Sequence, residues 1–182
     1  MCDRLKPGAR AACSCEKIAA VHLAAPYTDA KLCTAKQDED VRYVLALQNK
    51  AGWFGRELAN STETSGKFGT RPAFNVRSAE QRQFFAGPSP QLVVRFALQE
   101  MTGTDTGSFA TEEQRLMLCG VGGTGAPSCT RSILETRKET GHPPLSVAIQ
   151  IGPEPVLEAK SASSKMSPED REVLGKHQVV FP

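Results

Sequence analysis

At 182 residues the chain has the size of one domain, large enough to bury roughly 70% of its unfolded surface without a structural metal. Lysine and arginine number 22 against 20 aspartates and glutamates, and the two signs are interleaved. There is no basic block of the kind that tracks a phosphate backbone, so nucleic acid is not an expected partner. No apolar run reaches the ~18–20 residues that cross a bilayer, so no transmembrane segment is expected.

Residues 1–40 read as an irregular N-terminal segment packed on the domain, because Pro7, Gly8 and Pro26 interrupt any long element. Four of the six cysteines lie here: Cys2, Cys13, Cys15 and Cys33. An even cysteine count in a modest chain suggests a disulfide framework and an oxidising compartment. Zinc fits poorly, since no Cys-x-x-Cys is present and Cys13-Ser14-Cys15 is too tight for a tetrahedral knuckle. Residues 1–15 lack the ~7–15-residue apolar segment of a signal peptide, so an exported protein would carry this chain as its mature form. On that reading Cys2 is a candidate lipidation site, since lipoproteins begin after processing with a modified cysteine. His22, within the apolar run 18–25, reads as a histidine at the core margin.

Residues 41–182 read as an antiparallel β domain. Val41, Tyr43, Leu45 and Leu47 alternate at period two and predict the first clear strand. Asn49-Lys50-Ala51-Gly52 predicts a hairpin turn, with a returning strand over 53–58. Trp53 in that strand has two readings: a cap on the core, which is favoured, or a platform on which a sugar ring stacks. Residues 60–70 and 102–108 are rich in Gly, Ser and Thr and read as long loops. Between them lie a short strand near 72–78 and a strand over 91–99, whose Leu92, Val94, Phe96 and Leu98 oppose Gln91, Arg95 and Gln99. That half-polar pattern predicts a sheet with one wet face. Thr111-Glu112-Glu113-Gln114 has capping-box form and predicts a helical turn.

Residues 115–133 admit two structures. In one, 116–119 and 129–133 are antiparallel neighbours joined by a Gly-rich loop, and a Cys119–Cys129 disulfide staples them. Such a ring of 11 residues would restrict the unfolded chain by roughly 2.7 kcal/mol. In the other, Gly120-Val121-Gly122-Gly123-Thr124-Gly125 is the dinucleotide pattern G-x-G-x-x-G, a helix starts at Pro127, and Glu154 beyond the strand 145–151 holds the ribose. Only 57 residues follow Gly125, too few to complete a doubly wound sheet. Glu154 also lies 29 residues past Gly125, where about 20 is usual. Farther on, residues 155–159 predict an edge strand. Ser167, Pro168 and two acids open a short helix over 168–174, and 178–181 predict a final strand.

The expected architecture is all-β and mainly antiparallel, a β-sandwich or barrel with one short C-terminal helix. No catalytic motif, cofactor site or metal site emerges. The disulfide candidates are Cys119 with Cys129, and Cys33 with Cys13 or Cys15. The expected function is that of an exported, periplasmic or envelope-anchored β-domain, non-enzymatic, binding a protein or glycan through loops 60–70, 102–108 and 120–128. Two alternatives stand beside it: an intracellular nucleotide-binding enzyme using the loop from Gly120 to Gly125, and a carbohydrate-binding module using Trp53.

Overall fold

The computed structural model describes residues 12–37, 40–60, 73–85, 90–104, 107–120, 128–151, 156–161, 171 and 174–179. Strands dominate them. A small sheet contains β1 (Ala12–Lys17), β3 (Asp29–Gln37), β4 (Asp40–Asn49) and β5 (Gly52–Asn60), in the order β1-β3-β4-β5 and antiparallel throughout. A large sheet contains β2 (Ala20–His22), β6 (Ala73–Arg82), β7 (Gln91–Thr104), β8 (Gly107–Gly120), β10 (Ile133–Glu139), β11 (Leu145–Ile151), β12 (Val156–Ser161) and β13 (Gly175–Gln178). Its order is β13-β12-β11-β10-β8-β7-β6-β2, and the two-residue β9 (Ser128–Cys129) pairs with β8. Every pairing among the described residues is antiparallel except β2 with β6.

Alternation explains how the sheets stack. Leu45 and Leu47 of β4 and Ala30 of β3 point inward, against Phe74, Val76 and Ala79 of β6, Leu92, Val94 and Phe96 of β7, and Met117 and Cys119 of β8. Tyr43, Phe74 and Phe96 stack in series, with ring centroids 4.6 and 5.0 Å apart. These residues form the main core of a two-layer, sandwich-like fold. Leu45, Leu47, Leu92 and Val94 are wholly buried, each contributing about 1.5–3 kcal/mol by removal from water.

The large sheet differs from the one-wet-face expectation. Val93, Leu116 and Leu118 on its other face are wholly buried as well, packed with Phe85, Val179 and the half-buried Ile133, Ile149 and Ile151. The centre of β7 and β8 is therefore apolar on both sides. Gln91, which would mark a wet face, is buried because its Oε1 accepts the backbone N–H groups of Phe84 and Phe85.

Several local expectations are corrected. Residues 12–37 are not irregular but supply three strands, one of them interior to the small sheet. Residues 111–114 lie inside the 14-residue β8, not in a helical turn: pairing with β7 and β10 on both sides overrides a capping pattern whose value is under a couple of kcal/mol. β12 is an interior strand rather than an edge. His22 is exposed. Of the segment read as a C-terminal helix, only Arg171 and Leu174 are described. Arg171 is helical, and the Leu174 N–H donates to its carbonyl at 3.1 Å.

The β4–β5 hairpin turns where its sequence indicated. Asn49 Oδ1 accepts the Ala51 N–H at 2.8 Å, and Gly52 follows at φ 126°. At the far end of β6, Gln81 is buried and holds the incoming backbone of residues 24–25. Its Oε1 accepts from the Ala24 N–H and its Nε2 donates to the Ala25 carbonyl, beside the cis Ala25–Pro26 bond.

Candidate functional site

The sulfur pairs organise the molecule. Cys119 on β8 stands opposite Cys129 on β9, and Cys15 on β1 stands opposite Cys33 on β3. Both pairs are bonded, with Cα separations of 3.9 and 4.0 Å. Opposed residues in an antiparallel ladder come this close when they do not exchange backbone hydrogen bonds. The neighbouring pair does exchange one: Thr130 N–H donates to the Leu118 carbonyl at 2.8 Å. Cys13 is disulfide-bonded too, with a partner outside the described residues. Cys2 also lies outside them.

The two described bonds sit in different surroundings. Cys119 and Cys129 belong to the main core and are almost wholly buried. Cys15 is exposed on the edge strand β1, while Cys33 is buried behind it on the outer face of the small sheet.

Trp53 shares that outer face. Alternation along β4 and β5 puts Val44, Ala46, Gln48, Trp53 and Gly55 on one side, opposite the main core. Ala46 and Gly55, paired across the strands, carry little or no side chain. The half-buried indole packs against the small cluster that Cys33, Val44 and Ala46 form on that face. Lys31 Nζ lies 4.8 Å from the ring centroid, a cation–π contact of about 0.5–1 kcal/mol at an open site. Trp53 thus caps a small cluster outside the main core, with its ring already engaged by an ammonium.

The half-buried charges converge on Glu113. Along β8 the inward row Cys119, Met117, Arg115, Glu113 changes from apolar to charged, and Arg137 of β10 stands opposite Glu113. Arg115 Nε donates to one Glu113 oxygen at 2.7 Å and Arg137 Nε to the other at 2.8 Å. Arg115 Nη1 also reaches Ser132 Oγ at 3.1 Å. Burial pushes the Glu113 carboxyl upward, but the hydrogen bonds and charges of the two guanidiniums outweigh it and hold it below the ordinary value. A carboxylate so held stays ionised at neutral pH and is poorly suited to general acid or base work. Its role is to fix β10 against β8 next to the bulge between Leu134 and Thr136. Sequence reading missed this cluster because strand partners 24 residues apart cannot be paired from alternation alone.

The candidate loops separate. Residues 102–108 are not a long loop: β7 and β8 run as one hairpin in which Thr102 pairs with Phe109 and Thr104 with Gly107. The segment 61–72, outside the described residues, leaves β5 at Asn60 and returns at Ala73, opposite Gln99. The β7–β8 hairpin projects from that end of the sheet. Residues 121–127, also outside the described residues, leave from Gly120 and return at Ser128, at the opposite end where Arg82 pairs with Gln91. They hold most of the Gly-rich dinucleotide pattern. The chain beyond them forms β9 and β10 rather than a helix, and 145–151 is antiparallel to its neighbours. Glu154 lies outside the described residues.

No grouping of three His, Cys, Asp or Glu side chains suited to a metal ion occurs among the described residues. No helix among them is long and apolar enough to cross a membrane. The chain matches no family model, and no curated protein or solved structure matches it.

Proposed function

We propose that this is an exported β-sandwich domain that works by binding a protein ligand, without catalysis, from the end of the large sheet where the β7–β8 hairpin projects. The observation that carries the compartment is the pair of in-register disulfides, one in each sheet, a form that persists in oxidising surroundings. The observation that supports the binding end is the hairpin itself. Beyond the Thr111–Glu139 and Ala73–Gln99 pairs, β7 and β8 continue together for several residues, with no other described strand beside them. An isolated two-stranded ribbon is marginal in water and gains by meeting a partner. A glycan is the less favoured ligand, because the indole offered for stacking is already met by Lys31.

Chain purified from its own cells without reductant, alkylated and mapped, is expected to show Cys15, Cys33, Cys119 and Cys129 unmodified. Recovery of all four as free thiols would remove the basis for export. A photo-crosslinker at Gly107 is expected to trap a protein partner in intact cells, where one at the exposed Lys160 of β12 traps none. Equal yields at both positions count against the hairpin. Saturable nucleotide binding that Gly122→Val abolishes would favour the enzyme reading instead.

A further inference from the structure

We propose that the Cys15–Cys33 bond is a thiol–disulfide exchange site in the folded protein, open at Cys15 to small acidic thiols, whereas the Cys119–Cys129 bond is a closed structural staple. Three observations converge on it. Among the described residues β1 pairs with β3 alone, so Cys15 stands on the edge strand of the small sheet and Cys33 on the interior strand beside it. An incoming thiolate attacks from the side of the sulfur that solvent reaches, in line with the bond that breaks. The sulfur it meets belongs to the exposed Cys15, and the leaving sulfur belongs to the buried Cys33. Next along the same face, Lys17 stands directly opposite Lys31. Like charges in that position oppose each other, and their combined field attracts an anionic reagent. Asp29 and Arg42 also point to this face, and Glu57 lies at the β5 end of the Cys15–Cys33–Val44 row, so the positive charge is concentrated beside β1. Around Cys119 and Cys129, by contrast, lie buried apolar side chains.

In the reaction, the electron pair of the incoming thiolate forms a bond to Cys15 Sγ as the Cys15–Cys33 bond breaks. The bonding pair leaves on Cys33 Sγ, which takes a proton from water. The product is a mixed disulfide at Cys15 and a thiol at Cys33, with no net change of oxidation state. A second thiol attacking the mixed disulfide completes a two-electron reduction of the protein and leaves as the oxidised dimer of the reagent.

The protein carries its own reporter. Its one tryptophan, Trp53, packs against the small cluster that contains Cys33, Val44 and Ala46, so its emission reads a change in that cluster. The test uses the full oxidised chain and reduced glutathione without denaturant, with quenching by alkylation and mapping under non-reducing conditions. Fragmentation of peptide 11–17 tells Cys13 from Cys15. Glutathione is expected on Cys15 with Cys33 alkylated, forming at least about tenfold faster than Cys119–Cys129 opens, since local opening outpaces global unfolding. Trp53 emission should change at the same rate while far-UV circular dichroism stays constant. Lys17→Gln should slow the reaction with glutathione more than that with neutral 2-mercaptoethanol. The proposal fails if both bonds open at one rate, if the adduct sits on Cys13 or Cys33, if emission changes only as circular dichroism is lost, or if Lys17→Gln slows both reagents equally.

Discussion

Cys119 and Cys129 face each other at the end of the β8–β9 ladder, and their bond fills a position in the main core beside Leu92 and Met117. They stand 10 positions apart in the sequence. Replacing both by alanine removes the ring constraint on the unfolded chain and two buried sulfurs. A loss of about 3 kcal/mol is expected from the constraint alone, read as a lower denaturant midpoint with a steeper slope, because the released unfolded chain is less compact. Retention of the wild-type midpoint would mean that the staple contributes nothing to stability.

The hairpin turn gives a sharper test of backbone strain. Gly52 has φ 126°, and a Cβ built there meets nothing within 4 Å. Any cost of Gly52→Ala therefore comes from the backbone and not from a clash. About 1–3 kcal/mol is expected for a side-chain-bearing residue held in that region. A neutral result would show that the turn relaxes to another conformation, and that Asn49 alone fixes the register of β4 and β5.

Trp53 and Phe96 should respond differently to truncation. Phe96 is almost wholly buried and stacks on Phe74 between the sheets, so Phe96→Ala should cost about 3–5 kcal/mol. Trp53 is half-buried over small neighbours on the outer face, so Trp53→Ala should cost clearly less. The carbohydrate alternative makes a separate demand: glycan binding that Trp53→Ala abolishes without affecting stability would restore the indole as a platform.

The antiparallel β character was legible wherever one face of a strand is apolar and the other polar. Val41 to Leu47 and Leu92 to Leu98 alternate, and both lie in strands. Alternation failed in β10, ILETRKE, where Glu135, Thr136 and Arg137 are half-buried and the strand is held by charge pairs and a bulge rather than by an apolar face. It failed in β1, ACSCEK, for a related reason: almost every side chain is exposed, and pairing to β3 defines the strand. The Cys119–Cys129 pair could be argued locally because a short flexible loop separates its members. The choice of Cys15 over Cys13 for Cys33 could not, since both lie on one face and only the register of β1 on β3 distinguishes them. The Gln81 contacts with residues 24–25 were invisible for the same reason: they join positions 57 and 56 residues apart.

Acid should weaken the protein through Glu113. Its folded-state pKa lies below the ordinary carboxylate value, because Arg115 and Arg137 together outweigh the burial that raises it. A depressed pKa means that the unfolded chain binds the proton more readily. The contribution is thus fully present above the unfolded pKa of about 4.3 and is lost as pH falls through the folded pKa. The carboxylate side chain is 13% exposed and the two guanidiniums 29% and 33%, so part of the interaction is screened by solvent. About 1–3 kcal/mol is expected at pH 7, less than for a fully buried pair. Glu113→Gln keeps the shape of the side chain and removes its charge. It should be destabilised at neutral pH and should show a flatter acid limb, the gap to the unmodified chain narrowing as pH falls through the folded pKa of Glu113 and its carboxyl becomes neutral. Denaturant titrations across that range decide the matter: parallel curves, offset by a constant amount down to the lowest pH, would show that the Glu113 charge does not shape the acid limb.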